Sequence, residues 1–306
     1  MELVKTVREL RTRLAPARRR GERIGFVPTM GYLHEGHASL IRRARQENDL
    51  VVVSDFVNPT QFGPNEDFAR YPRDLDRDQA IAGAAGAGIL FAPSVEEMYP
   101  GGQGDSGSQF FVDVGSLAGV LCGRSRPGHF RGVATVVTKL FHIVQPDAAY
   151  FGQKDYQQAL ILRRMVHELF FPLHLVICPT VREQDGLAMS SRNTYLSSTE
   201  REEATVLYQA LQQAARLLGQ GERSASRLHQ AMLAVVSRAP SARVDYVEIV
   251  DPLTLDPISR CDRTTLFALA VFIGKTRLID NALLDPDGSE KPASDLFDTV
   301  WPTLPS

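Results

Sequence analysis

The chain has 306 residues, a hydrophobic fraction of 43% and a formal net charge of -2, room for two domains with a sizeable core and no electrostatic footprint for nucleic acid. There is no run of about 18 apolar residues to span a membrane, and Met1–Arg20 is charged, without the apolar centre of a secretory signal. Cys122, Cys178 and Cys261 are too widely spaced for a disulfide framework or a metal cluster and suit a reducing cytoplasm.

The first half alternates strand-like apolar runs with helical patterns. Strands are expected at Arg23–Val27, Asp49–Val57, Gly88–Ala92, Ala148–Phe151 and Leu173–Cys178. Helices are expected at Ala38–Glu47, Leu75–Ala87, Val133–Val144 and Gln157–Phe170. This order predicts an α/β fold, a Rossmann-like, doubly wound parallel sheet. The continuous run Leu50–Val53 fits a strand buried on both faces. In the second half, Thr199 with Glu202 reads as a capping box opening a helix to about Gly219, and a further helix covers Ser224–Arg238. Val244–Ile249 alternates with period two, and Thr265–Ile273 reads as another strand, giving a smaller α+β C-terminal domain. The expected division is residues 1–182, 183–283 and a fraying Pro/Asp/Ser-rich tail, 284–306. Gly101–Ser108 reads as a Gly/Ser-rich loop.

Ligands of such sheets sit beyond the carboxyl ends of the strands. Three polar turns follow strands in this way. The first is Pro28–His37, with sequence PTMGYLHEGH. A strand-to-helix turn presents backbone N–H groups and a helix dipole to an anion. His34 and His37 share one helical face, and Gly36 leaves room for close approach. Nucleotide phosphates fit this arrangement; on its own, a glycine-containing loop with two surface histidines fits it too. The second turn, Asn58–Gln61, carries Gln61, whose amide can hold a carboxylate or hydroxyl, or simply cap the loop. The third is Gly152–Asp155, where Lys154 reaches a phosphate or forms a solvated pair with Asp155. Gln158 follows with the same dual capacity as Gln61. Met189-Ser190-Ser191-Arg192 gathers two hydroxyls and a guanidinium suited to phosphate oxygens, or to an ordinary loop entering a helix. Arg124–Arg131 is a basic segment, either a mobile anion-contacting loop or a solvated charge run. The histidine spacing is i,i+3 rather than the i,i+4 of a zinc-protease helix, and no nucleophile elbow or Walker lysine is present.

These blocks together resemble the pantoate–β-alanine ligases (pantothenate synthetases), within the superfamily of HIGH-type nucleotidyltransferases. The matching strings are PTMGYLHEGH, FVNPTQF at Phe56–Phe62, YPRDLDRD at Tyr71–Asp78, GHFRGVATVV at Gly128–Val137, FGQKDYQQ at Phe151–Gln158, VREQDGLAMSSRN at Val181–Asn193 and TRLIDN at Thr276–Asn281. The resemblance runs along the whole chain up to the tail. It implies that pantoate attacks ATP to give pantoyl adenylate and pyrophosphate, and that β-alanine then displaces AMP. It implies ATP binding by Met30, Gly31, Tyr32, Leu33, His34, Glu35, Gly36 and His37, by Gly152, Gln153, Lys154 and Asp155, and by Val181, Met189, Ser190, Ser191 and Arg192. Catalysis falls to His34, His37, Lys154 and Arg192, with His37 as proton donor. Gln61 and Gln158 hold pantoate, and Gln61 also adjoins β-alanine. Magnesium accompanies ATP with no protein metal ligand assigned and no prosthetic group, in a cytoplasmic homodimer. Three positions depart from the family pattern: Thr60 where methionine is frequent, Asp55 at an aliphatic position, and Arg77 at an acidic one that bears on magnesium. Other readings are an adenylyltransferase acting on a phosphorylated small molecule and a non-catalytic nucleotide-binding regulator. Neutral Gln61 and Gln158 argue against the former, and the full catalytic set against the latter.

Overall fold

The computed structural model describes residues 1–64, 66–102 and 110–301. Most of the expected loop Gly101–Ser108 lies outside them. The first half runs β1 (Glu2–Val4), α1 (Val7–Arg19), β2 (Ile24–Thr29), α2 (Glu35–Glu47), β3 (Leu50–Asp55), α3 (Leu75–Ala84), β4 (Ile89–Phe91) and α4 (Val95–Met98). It continues with α5 (Cys122–Ser125), α6 (His129–Val144), β5 (Ala148–Gly152), α7 (Tyr156–Glu168) and β6 (His174–Cys178). The second half contains α8 (Ser198–Glu203), α9 (Val206–Gly219), α10 (Ala225–Val236), β7 (Ala242–Val250), β8 (Thr265–Ile273), β9 (Thr276–Leu284), β10 (Glu290–Lys291) and α11 (Ala293–Val300).

β1 to β6 form one parallel sheet in the order β1-β4-β3-β2-β5-β6. Both faces are buried, as its apolar runs require. Val51, Val53, Ala148 and Tyr150 pack under α2 and α3. Phe26, Val52, Ala149 and Phe151 pack under α1, α6 and α7. The winding reverses between the neighbours β2 and β5, so the crevice of the switch point opens beyond their carboxyl ends. The turns at 30–37 and 152–155 leave those two strands.

β7 to β10 form a smaller antiparallel sheet, order β10-β9-β8-β7. Phe267, Leu269 and Val271 of β8 face α9 and α10. The alternate residues Leu266, Ala268 and Ala270 join the core of the first domain, so the small sheet lies directly against the large one.

Four expectations change. The capping box is Ser197 with Glu200, two residues earlier, and the helix it opens breaks after Glu203 before α9 begins. α1 and β1 are hidden in a charged N-terminus; Thr6 caps α1, and Leu10, Leu14 and Ala17 form its buried stripe despite Pro16. β9 shows in the sequence only as a motif. The tail does not fray as far as residue 301: β10 pairs with β9, and Ala293 and Phe297 of α11 are buried in the main core. Its composition is that of a linker, but Ala293, Leu296, Phe297 and Val300 have helical spacing.

Candidate active site

The 30–37 turn is built mainly by side chains that bond its backbone. Thr29 Oγ1 donates to Ser54 O (2.6 Å) and accepts from Gly31 N–H (3.1 Å). Gly31 and Tyr32 both adopt positive φ, 75° and 51°. Only glycine fits the first position, because an added Cβ would collide with Asp55 Oδ1. Asp78 holds the strained Tyr32 by accepting the N–H groups of Tyr32 and Leu33, both at 2.6 Å. Arg77 lies over the Tyr32 ring, 4.5 Å from its centroid.

His34 is the N-cap of α2 and His37 its N3 residue, forming a capping box made of imidazoles. Gly36 N–H donates to His34 Nδ1 (3.1 Å), and His34 N–H donates to His37 Nδ1 (3.3 Å). Each Nδ1 is therefore an acceptor, which leaves the proton of each neutral ring on Nε2. The rings lie 4.1 Å apart. Burial, then the neighbouring His37 and Lys154, pushes His34 down to about 2. Burial, then Lys154, pushes His37 down to about 4. At neutral pH both rings are uncharged hydrogen-bond donors, and the proton donation implied for His37 requires an anion nearby to raise its pKa.

Asp55 turns out to belong to this turn. Burial, then the adjacent Asp78 carboxylate, raises it to about 7, and the two carboxyls are hydrogen-bonded. Asp78 is raised as well, first by burial. Both shifts favour a protonated carboxyl beneath the Gly31–Leu33 backbone.

Across the crevice, β5 ends in Gly152, and the turn Gln153–Asp155 leads into α7. Asn281 of β9 donates to Gln153 O (3.1 Å) and Lys154 O (2.8 Å). Gln153 is buried, and its Oε1 accepts the Ala293 N–H (2.9 Å). Lys154 lines a cavity of about 610 Å³ between the two sheets, together with Asp155, Gln158, Ser190 and Arg192. Met30 to His37 are not in the wall of this cavity, and neither are Gln61, Gly152, Gln153, Val181, Met189 and Ser191. The two adjacent glutamines divide their work. Gln157 is committed to Cys122 N–H and to the carbonyls of Leu117 and Val120. Gln158 has no hydrogen-bond partner among the described residues and faces the cavity.

Gln61 sits in a 3-10 turn, Pro59–Gln61, capped by Asn58. Asn58 Nδ2 donates to Gln61 Oε1 (3.0 Å), so Gln61 Nε2 is left as the outward donor, now against Met30 Sδ at 3.0 Å. Thr60 fills its position by bonding Asn58 Oδ1 (3.0 Å) and the Tyr99 hydroxyl (3.1 Å). Gly132 of α6 packs against this turn; a Cβ there would strike Thr60 O. His129, missed in the sequence although it lies in the GHFRGV block, holds the same turn. Arg126 can only donate to His129 Nε2 (3.1 Å), so Nδ1–H donates to Gln61 O (2.9 Å). Burial, then Arg126, lowers His129 to about 4.

The Met189–Arg192 stretch reaches this crevice from the small-domain side. Met189 N–H bonds Val181 O (3.0 Å), and Ser191 Oγ donates to Tyr32 O (3.3 Å). Arg182 anchors the stretch through two bonds to the buried Asp280, 2.6 and 3.0 Å. Arg192 is not free: Asp67, for which the sequence offered no signal, binds it through both Nε and Nη2 at 2.9 Å. Nor is 124–131 an open cationic loop. Arg124 pairs with Glu248, Ser125 bonds Asp245, and Arg126 pairs with Glu66.

Residues 2–283 match the family model described as pantoate-beta-alanine ligase. The chain belongs to the pantoate–β-alanine ligase family. It is 57% identical to the pantothenate synthetase of Moorella thermoacetica over 93% of this chain and 99% of the relative. It is 55% identical to that of Thermotoga neapolitana, over 93% and 100%. Among solved structures, pantothenate synthetase from Thermus thermophilus superimposes with a TM-score of 0.86 at 50% identity, covering 94% of this chain and 99% of that one. The pantoate-beta-alanine ligase from Francisella tularensis, complexed with beta-gamma ATP and β-alanine, gives 0.76 at 36% identity, over 92% and 97%. The fold here matches these structures. Among the described residues, no helix is long and apolar enough to cross a membrane, and no group of three or more His, Cys, Asp or Glu side chains is placed to hold a metal ion.

Proposed function

We propose that the protein condenses pantoate with β-alanine at the expense of ATP, giving pantothenate, AMP and pyrophosphate. The observation that carries this reading is the fixed amide of Gln61. Asn58 orients it to offer N–H, and it lies next to Met30 in the turn of the two histidines. A neutral donor suits the carboxylate and hydroxyls of pantoate. A phosphorylated acceptor would call for free cations, and Arg126 close by is engaged with Glu66.

In the first half-reaction the pantoate carboxylate attacks the α-phosphorus and pyrophosphate leaves. Two anions must meet, so stabilisation of phosphate charge dominates the barrier. The Nε2–H groups of His34 and His37 and the N-terminus of α2 serve this role on one side, and Lys154 on the other. Gln61 and Gln158 hold pantoate in line for attack. Ser190 and Ser191 contact the nucleotide from the far side, and Arg192 joins them when it exchanges Asp67 for phosphate. In the second half-reaction the β-alanine amine, held beside Gln61, attacks the acyl carbon and AMP leaves. Magnesium bound with the triphosphate would neutralise phosphate charge, and the exposed Asp155 beside Lys154 is one carboxylate that could hold it. A homodimer and a cytoplasmic location accompany this reading, and sedimentation of the pure protein tests the first. The reading as a whole is tested by supplying ATP, pantoate and β-alanine and following AMP, pyrophosphate and pantothenate. AMP should appear only when both acid and amine are present. ADP and phosphate as products would point to an acyl phosphate and overturn the mechanism.

A further inference from the structure

The family match ends at residue 283, and relatives covered over 99% and 100% of their length use 93% of this chain. The segment beyond is an extension, and its path is specific. Lys291 and Glu290 fold back on Leu283 and Leu284 of the small sheet. The chain then crosses to the first domain, where α11 lies beside β6 and α7. Phe297, 1% exposed, packs its ring 5.5 Å from Tyr156. Arg163 of α7, 4% exposed, donates to Leu175 O (2.7 Å), Asp298 Oδ1 (2.8 Å) and Trp301 O. The first residue of α11 bonds the active-site turn itself, through Ala293 N–H to Gln153 Oε1. The extension thus touches the residues on both sides of Lys154 and Asp155, namely Gln153 and Tyr156. Mere cover for an apolar edge would need the rings alone. It would not need a buried amide of the turn satisfied by the extension's backbone.

We propose that the C-terminal extension is a positioning strap that sets the 152–155 turn, and with it Lys154, for the triphosphate. The proposal rests on the reading that Lys154 contacts nucleotide phosphate. Ala293 permits a narrow test, because it is the first residue of its helix, where the φ of proline is tolerated and its N–H is lost; the ring also enters a buried position, so the shortened chain serves as the second, independent variant. The variants are Ala293→Pro, Ala293→Gly, which keeps the N–H, and a chain ending at Gly288, close to the length of the relatives. Circular dichroism and melting establish that each is folded, and the folded variants carry the test. Three quantities are read: single-turnover adenylate formation with ATP and pantoate, the pantoate KM, and hydrogen exchange of the 152–155 amides without ligand. Ala293→Pro and the shortened chain should form adenylate about tenfold more slowly, the loss expected when a buried amide goes unpaired. Pantoate KM should stay within about twofold, a split between rate and binding that general destabilisation would not produce. Both should lose protection at 152–155, and Ala293→Gly should match the parent. Folded variants with parental rate and parental exchange would overturn the strap, as would equal slowing in Ala293→Gly. Loss of turn protection in the variants of a parent that forms no adenylate would uphold the strap and overturn the ligase reading instead.

Discussion

The two turns facing each other across the crevice are built by opposite means. In the 30–37 turn the key bonds link residues two or three apart: Gly36 to His34, His34 to His37, Gly31 to Thr29. Asp78, from α3, supplies the main outside support. The 152–155 turn is held by residues 127, 128 and 140 positions away, in β9 and in the extension. The first turn is thus set by local sequence, and the second only by the assembled fold. The difference matters because Lys154, the proposed phosphate contact, stands on the remotely held turn, while the two imidazoles stand on the locally held one.

Replacing Lys154 by Ala should be the most damaging change. A charge that acts on the transition-state phosphate is worth several kcal/mol, a hundredfold or more in adenylate formation. Pantoate binding should hardly change, and a parental single-turnover rate would reduce Lys154 to a surface charge. Gln61→Ala, beside the locally built turn, should cost about 1–3 kcal/mol in pantoate binding and disturb both half-reactions. Calorimetry that finds unchanged pantoate affinity would remove Gln61 from the site. Asn281→Ala frees two carbonyls of the remote turn and should cost about 1–2 kcal/mol. Exchange should quicken at 152–155 and stay parental at 30–37; quickening at both would mean that the turns are not independently supported.

The smallest expected effect concerns pH. Asp55 is held at about 7 by burial and then by Asp78, against about 3.9 in an unfolded chain. The folded state keeps this proton across that window. Its contribution to stability is complete below about pH 4 and is lost as pH rises through 7. Melting of the parent should therefore weaken between pH 5 and 8 by on the order of 1 kcal/mol more than that of Asp55→Asn. Identical pH dependence in the two would show that the carboxyl pair shares no proton.

The same contrast governs what can be read in advance. The parallel sheet follows from runs such as Leu50–Val53, because burial on both faces leaves an unbroken apolar string. The 30–37 turn is legible because a strand, Gly31, Gly36 and two histidines lie within one short window. The small domain's first helix is announced by a capping signal read two residues too late, β7 by its period of two and β8 by its apolar run. Asp67 is not, since its partner Arg192 lies 125 residues on. His129 looks like part of a basic run until its ring is seen to donate to Gln61 O. Asn281 stands in a recognisable string whose purpose, holding the carbonyls around Lys154, exists only after β9 docks. The extension misleads by composition: proline, aspartate and serine draw the eye from Phe297 and its helical neighbours. Asp55 stands out as a departure from the family pattern, and only packing reveals Asp78 as its partner.

The central claim is that one nucleotide is held jointly by the local turn, the remote turn and the 189–192 segment, with the small domain drawn over the crevice. Hydrogen exchange with a non-hydrolysable ATP analogue measures this directly. Protection should rise together at 30–37, at 152–155 and at 189–192, where Ser191 already bonds Tyr32 O. Protection confined to 30–37, with the other two segments unchanged, would contradict the account.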